Sequence, residues 1–280
     1  MLFAALPQDS GKGKLKMKKF LFAVFCAVFA GGICLCAAPV RRALQDMALR
    51  PQSNPRVSPE PVTWLSVDED TEIAAYYLPP PTPDALTIIY SYGTLEDLQG
   101  KRHLLDRLYA LGYGVIGYDY EGFGSSEGTV TLDHALRDVE RVYRFLTEEE
   151  GIKPEKIVVS GYSMGSGPTS YLASLYRFAG VIIEAGFASL FQVVVPFPGI
   201  PGDVFCNEDW LRNNTAPLLV LHGTIDDTVP VRNAYRLIQA TGGETEAHII
   251  EGANHCNIRD FLGDEEYFRI ITSFLEKLNS

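Results

Sequence analysis

The sequence predicts an α/β fold, with a mostly parallel central sheet of about eight strands and helices on both faces. Three observations carry this. Short β-branched apolar runs alternate along the chain with longer segments whose apolar residues recur at helical spacing, and that alternation builds parallel sheets covered on both sides. At Lys156–Gly167, KIVVSGYSMGSG, strand turns sharply into helix with Ser163 at the apex. The chain has 280 residues, 46% of them hydrophobic, enough for one large domain with a substantial core.

The first 38 residues stand apart. Lys12, Lys14, Lys16, Lys18 and Lys19, with Asp9 upstream, precede an almost purely apolar run from Phe20 to Ala38. That run is long enough to cross a bilayer, and Ala37-Ala38-Pro39 offers small residues for cleavage, so the segment is expected to be a signal peptide or a membrane anchor. More lysines precede the run than arginines follow it, at Arg41 and Arg42, which keeps the N-terminus in the cytoplasm and sends the rest across. The domain is then expected outside the cytoplasmic membrane, anchored, or secreted or periplasmic after cleavage. Neither Cys34 nor Cys36 has a small residue directly before it, which argues against lipidation there. Residues 39–61 carry Pro39, Pro51, Pro55, Pro59 and Pro61 and read as a tether.

The whole chain has a formal charge of −11, and since residues 1–38 carry a net +4, residues 39–280 carry −15. So acidic a domain excludes nucleic acid as a partner and is repelled by anionic lipid, leaving the N-terminal run as its only expected contact with a membrane. A monomer is expected. Cys206 and Cys256 fit either redox compartment.

The catalytic domain is expected over residues 62–280. Val62–Val67 and Ile73–Leu78, joined by the acidic turn Asp68–Glu72, read as a hairpin at a sheet edge. Then follow a strand at Leu86–Tyr90, a helix at Lys101–Leu111, a strand at Gly114–Tyr118 and a long amphipathic helix at Leu132–Glu149. The serine turn comes next. After it the pattern gives strands at Val181–Ile183, Leu218–Leu221 and Ala247–Ile250, and helices at Val231–Gln239 and Asp264–Leu278.

In sheets of this kind ligands gather at the carboxyl ends of the strands. Three titratable or nucleophilic residues stand there: Ser163 in G-Y-S-M-G, Asp226 in H-G-T-I-D and His255 in G-A-N-H. A serine nucleophile needs a base to take its proton and an acid to fix that base in one tautomer. Ser163, His255 and Asp226 supply those roles in turn. Gly161 and Gly165 give the turn the room a raised serine requires. Glu184, at the end of the strand Val181–Ile183, is the alternative acid, and Asp227 reads as a capping or solvated residue. His103, His134, His222 and His248 read as structural or exposed.

With Asp119-Tyr120-Glu121-Gly122-Phe123-Gly124-Ser125-Ser126-Glu127-Gly128 added ahead of these motifs, residues 60–278 resemble the α/β-hydrolase superfamily, in its serine–acid–histidine order. The likeness is to small, nearly lidless esterase or serine-peptidase-like members. The stretch Ser163–Thr169 is similar to the elbow of the acyl-protein depalmitoylating branch. The resemblance implies an oxyanion hole made by the backbone N–H groups of Met164 and Thr94. It also exposes a departure: the family has His-Gly where this chain has Tyr92-Gly93.

The function expected is hydrolysis of an ester or thioester by a serine hydrolase through an acyl-enzyme, on a small-molecule or acyl-group substrate, with no metal or other cofactor. The alternatives are a serine peptidase-like amide hydrolase and a non-catalytic membrane-tethered binding protein on a hydrolase fold. Phe187, Phe191, Phe197 and Phe205 line an acyl pocket or cover the core, and the short, proline-rich Ser189–Leu211 leaves the site open.

Overall fold

The computed structural model describes residues 49, 58–94, 96–194, 203 and 205–279. The expected anchor and almost all of the tether lie outside these residues. No helix among the described residues is long and apolar enough to cross a membrane.

The eight strands are β1 (Thr63–Ser66), β2 (Glu72–Leu78), β3 (Thr87–Ser91), β4 (Gly114–Tyr118), β5 (Ile157–Tyr162), β6 (Gly180–Glu184), β7 (Leu218–Gly223) and β8 (Thr245–Ile250). They form one sheet in the order β1-β2-β4-β3-β5-β6-β7-β8. The β1–β2 hairpin sits at one edge, and β2 joins β4 antiparallel; every pair from β4 to β8 is parallel. Strands β3, β4, β5 and β7 are buried throughout, which is why their sequences are continuous apolar runs instead of alternating ones.

The helices are α1 (Leu98–Ala110), α2 (Leu132–Arg144), α3 (Ser166–Leu175), α4 (Leu190–Val194), α5 (Asn207–Leu211), α6 (Arg232–Ala240), α7 (Ile258–Leu262) and α8 (Asp264–Leu278). Register fixes their sides, because residues paired across parallel strands share a face. A Cβ on Gly117 would meet Leu98 and Leu105 of α1, and one on Gly180 would meet Phe274 and Leu278 of α8. Gly117 pairs with Tyr90, Tyr90 with Ser160 and Ser160 with Ile182, two residues from Gly180. Helices α1 and α8 therefore cover one face. Gly161, one residue out of phase, faces Thr169 of α3 on the other.

Two of the expected helices differ from expectation by more than one residue. Helix α1 starts at Leu98, three residues before Lys101, because Asp97 caps it by accepting the Gly100 N–H at 2.6 Å. The long helix keeps α geometry only to Arg144. Phe145–Glu149 is a π-helical turn, closed by Glu150 N–H on the Phe145 carbonyl at 3.0 Å.

Candidate active site

The turn that carries Ser163 is built by what its glycines leave out. Ser163 has φ +52°, in the left-handed region that a side-chain-bearing residue occupies only under strain. A Cβ on Gly165 would come within 2.0 Å of the Ser91 carbonyl oxygen, and one on Gly161 within 2.4 Å of the Gly165 carbonyl oxygen. Both are backbone obstacles, so strand β5, the turn and α3 can pack this closely only with glycine at these positions. Ser163 is held half-buried at the carboxyl end of the sheet.

Ser163 Oγ lies 2.8 Å from His255 Nε2, and His255 Nδ1 lies 2.7 Å from Asp226 Oδ2. The three residues come from the loops after β5, β8 and β7, and both His255 and Asp226 are buried. With Nδ1 donating to the carboxylate, Nε2 is left to accept the serine proton. Asp226 is further fixed by N–H groups of Thr228 and Val229, which bond Oδ1 at 2.9 and 2.7 Å. Burial works against its charge, but hydrogen bonds from His222, His255 and the Val229 N–H outweigh it and hold the carboxyl well below the usual carboxylate range.

Glu184 does not reach this relay. It pairs in register with Tyr162 and so turns to the α1/α8 face, where its carboxylate accepts the Tyr267 hydroxyl at 2.7 Å; burial raises its pKa. Asp227 is exposed. His222, read as structural or exposed, is fully buried and touches Asp226: its Nε2 donates to the Val229 carbonyl at 2.7 Å and lies 3.4 Å from Asp226 Oδ2. The spacing of four residues in H-G-T-I-D was the available signal. His134 approaches Glu121 at 2.9 Å, His248 approaches Glu246 at 2.9 Å, and His103 is exposed.

The loop after β3 lies against the serine. A Cβ on Gly93 would come 3.2 Å from Ser163 Cβ, so the chain passes Ser163 at contact distance. Gly93 N–H is held by Glu96 Oε2 at 3.1 Å, Glu96 N–H returns a bond to the Gly93 carbonyl at 3.2 Å, and Lys101 pairs with Glu96. Thr94 follows in this loop, and Met164 follows Ser163 in the 3₁₀ turn Ser163–Gly165. Tyr162, ahead of the serine, donates its hydroxyl to the His255 carbonyl at 3.0 Å. Sequence reasoning gave this tyrosine no role.

A polar cavity of about 180 Å³ opens on the α1/α8 side, among Tyr90, Lys101, Tyr162, Glu184, Arg259 and Tyr267. Phe187, Phe191 and Phe205 are wholly buried, Phe205 against the backbone of Gly167, and serve the core; Phe197 lies outside the described residues. Cys206 and Cys256 are both free.

The fold has counterparts among solved structures. An esterase from Pyrococcus furiosus superposes with a TM-score of 0.67 over 81% of this chain and 99% of its own, at 18% identity. Est1E from Butyrivibrio proteoclasticus, with ferulic acid bound, does so with a TM-score of 0.64 over 78% of this chain and 100% of its own, at 17% identity. A family model described as "Serine aminopeptidase, S33" matches residues 82–198, which hold the β3 loop, the glycine-rich stretch and the elbow. The chain has the α/β-hydrolase fold. It is 29% identical to human alpha/beta hydrolase domain-containing protein 17B over 175 residues, 61% of each chain. A similar match, again 29% over 175 residues, reaches mouse alpha/beta hydrolase domain-containing protein 17C, covering 55% of that protein.

Proposed function

We propose that this protein is a serine hydrolase that cleaves an ester or thioester through an acyl-enzyme. One observation carries the reading: Ser163 Oγ, His255 and Asp226 stand in an unbroken line of hydrogen bonds of 2.8 and 2.7 Å at the carboxyl end of the sheet. Ser163 Oγ attacks the carbonyl carbon as its proton passes to His255 Nε2, and Asp226 stabilises the imidazolium that forms. The oxyanion is received by the N–H groups of Met164 and Thr94. His255 then protonates the departing alkoxide or thiolate, and a water, activated by the same imidazole, releases the acid and restores Ser163.

The N-terminal apolar run supports placing this domain outside the cytoplasmic membrane, tethered by residues 39–61. A soluble exported species beginning near Ala38 or Pro39 would instead make the run a cleaved signal.

A fluorophosphonate probe tests the chemistry. Wild type is expected to label and Ser163→Ala not to. A folded wild type that stays unlabelled at neutral pH would overturn the reading. A panel of p-nitrophenyl esters and acyl thioesters of rising chain length then defines the acyl group.

A further inference from the structure

The carboxylate of Asp119 is wholly buried and gathers the loop after β3, the start of α1 and the segment ahead of the sheet. Its Oδ1 accepts the Tyr92 hydroxyl at 2.7 Å and the Leu98 N–H, at the start of α1, at 3.0 Å. Its Oδ2 accepts the hydroxyl of Ser58, which lies in the proline-rich segment ahead of the sheet and is itself buried. Gly124, with φ +50°, closes over the same group, and a Cβ there would fall 1.9 Å from Oδ2. Ser58 is locked to the adjoining residue by a reciprocal pair, its N–H donating to Ser125 Oγ at 2.9 Å and its Oγ accepting the Ser125 N–H at 3.2 Å. Pro59 restricts Ser58 to extended backbone, which prepares it for this role.

Tyr92 is the member of this cluster nearest the site. Its hydroxyl is fixed by Asp119 and its carbonyl accepts the Tyr120 hydroxyl at 3.0 Å, so side chain and backbone are both anchored. The next residue, Gly93, packs on Ser163, and the one after it is Thr94. An oxyanion donor works only within a few tenths of an ångström of its ideal distance, so the anchorage of this loop bears directly on the rate.

We infer that Tyr92 and Asp119 position the oxyanion loop of this hydrolase, and that Ser58 ties the proline-rich tether to the same post, making it a positioning residue for catalysis. The inference rests on the hydrolase reading above. It also accounts for the departure from His-Gly, because a tyrosine hydroxyl extends far enough from the loop to reach the buried carboxylate. Removing Ser58 Oγ leaves Asp119 buried with fewer donors, and the group relaxes by shifting or by taking a proton, either of which loosens Tyr92.

The test uses the full chain with a p-nitrophenyl ester, and an alkyl trifluoromethyl ketone whose hemiketal oxyanion occupies the hole. Ser58→Ala and Tyr92→Phe are expected to lower kcat about 10-fold at unchanged KM, a fraction of the loss seen on deleting a donor outright. Both should weaken the ketone by a similar factor, and Ser58→Thr should restore both readouts. Wild-type kcat in Ser58→Ala and Tyr92→Phe would overturn the inference. So would a fall in kcat with ketone affinity unchanged, or a Ser58→Thr variant no better than Ser58→Ala. A wild type that neither turns over nor labels with fluorophosphonate would overturn the hydrolase reading itself, a result distinct from these.

Discussion

His222 Nε2 lies 3.4 Å from Asp226 Oδ2, so the carboxylate that faces His255 is backed by a second, fully buried imidazole. The same nitrogen donates to the Val229 carbonyl at 2.7 Å. Replacing His222 by Phe leaves that carbonyl buried without its donor, which costs about 1–3 kcal/mol. Asp226 contributes with a definite sign. Its carboxyl titrates lower in the folded chain than in the unfolded one, so its stabilisation is present above about pH 4 and fades as pH falls below that. Thermal melts should therefore show a wide gap between wild type and His222→Phe at pH 7 and a narrower one at pH 3.

The identity of the acid is tested by three substitutions. Asp226→Asn is expected to lower kcat roughly 10⁴-fold with the fold intact, as loss of the acid does in other triads. Asp227→Asn and Glu184→Gln should keep most activity, since Asp227 is exposed and Glu184 is turned to Tyr267. An active Asp226→Asn beside a crippled Glu184→Gln would move the acid to the neighbouring strand.

Gly165→Ala should disable the elbow. Its methyl would have to sit 2.0 Å from the Ser91 carbonyl oxygen, so backbone must move. Overpacking of this kind costs about 1–3 kcal/mol. A lowered melting temperature with lost fluorophosphonate labelling is the expected result, and wild-type labelling would show that the turn tolerates a side chain.

Asp138 supplies a pH dependence of the opposite sense. Burial pushes its carboxyl up to about 8, against a bond from the Glu121 N–H and with the nearby Glu121 charge adding to the rise. Its Oδ2 accepts that N–H at 2.9 Å while Oδ1 has no partner among the described residues. Between about pH 4 and 8 the folded chain then holds a proton that the unfolded chain has lost, so stability falls as pH rises through this window. Asp138→Asn removes the titration. Its melting temperature relative to wild type should climb from pH 5 to pH 9, and a constant difference would contradict the assignment.

The elements around Ser163 were legible because buried parallel strands write themselves as short apolar runs and strained turns as glycines. Strand Gly114–Tyr118 follows from its apolar run, and helix Asp264–Leu278 from its helical spacing of apolar residues. Leu98 was missed as a helix start because Leu-Gln-Gly lacks a periodic apolar signal, and the decisive bond runs from Gly100 to the Asp97 side chain. Ser163, Asp226 and His255 could be picked from the ends of strands. The grip of Asp119 on Tyr92, Leu98 and Ser58 could not, since it joins residues 27, 21 and 61 positions away in sequence and no spacing rule links them. Glu184 illustrates the remaining ambiguity. A residue at a strand end can face either side, and only register with Tyr162 decides which.

The bond from the Tyr162 hydroxyl to the His255 carbonyl, spanning 93 positions of sequence, couples the residue beside Ser163 to the backbone of His255. Thermal breathing that displaces the elbow therefore carries the imidazole with it. The gap between Oγ and Nε2 is thus braced by a local strut as well as by the bond from His255 to Asp226.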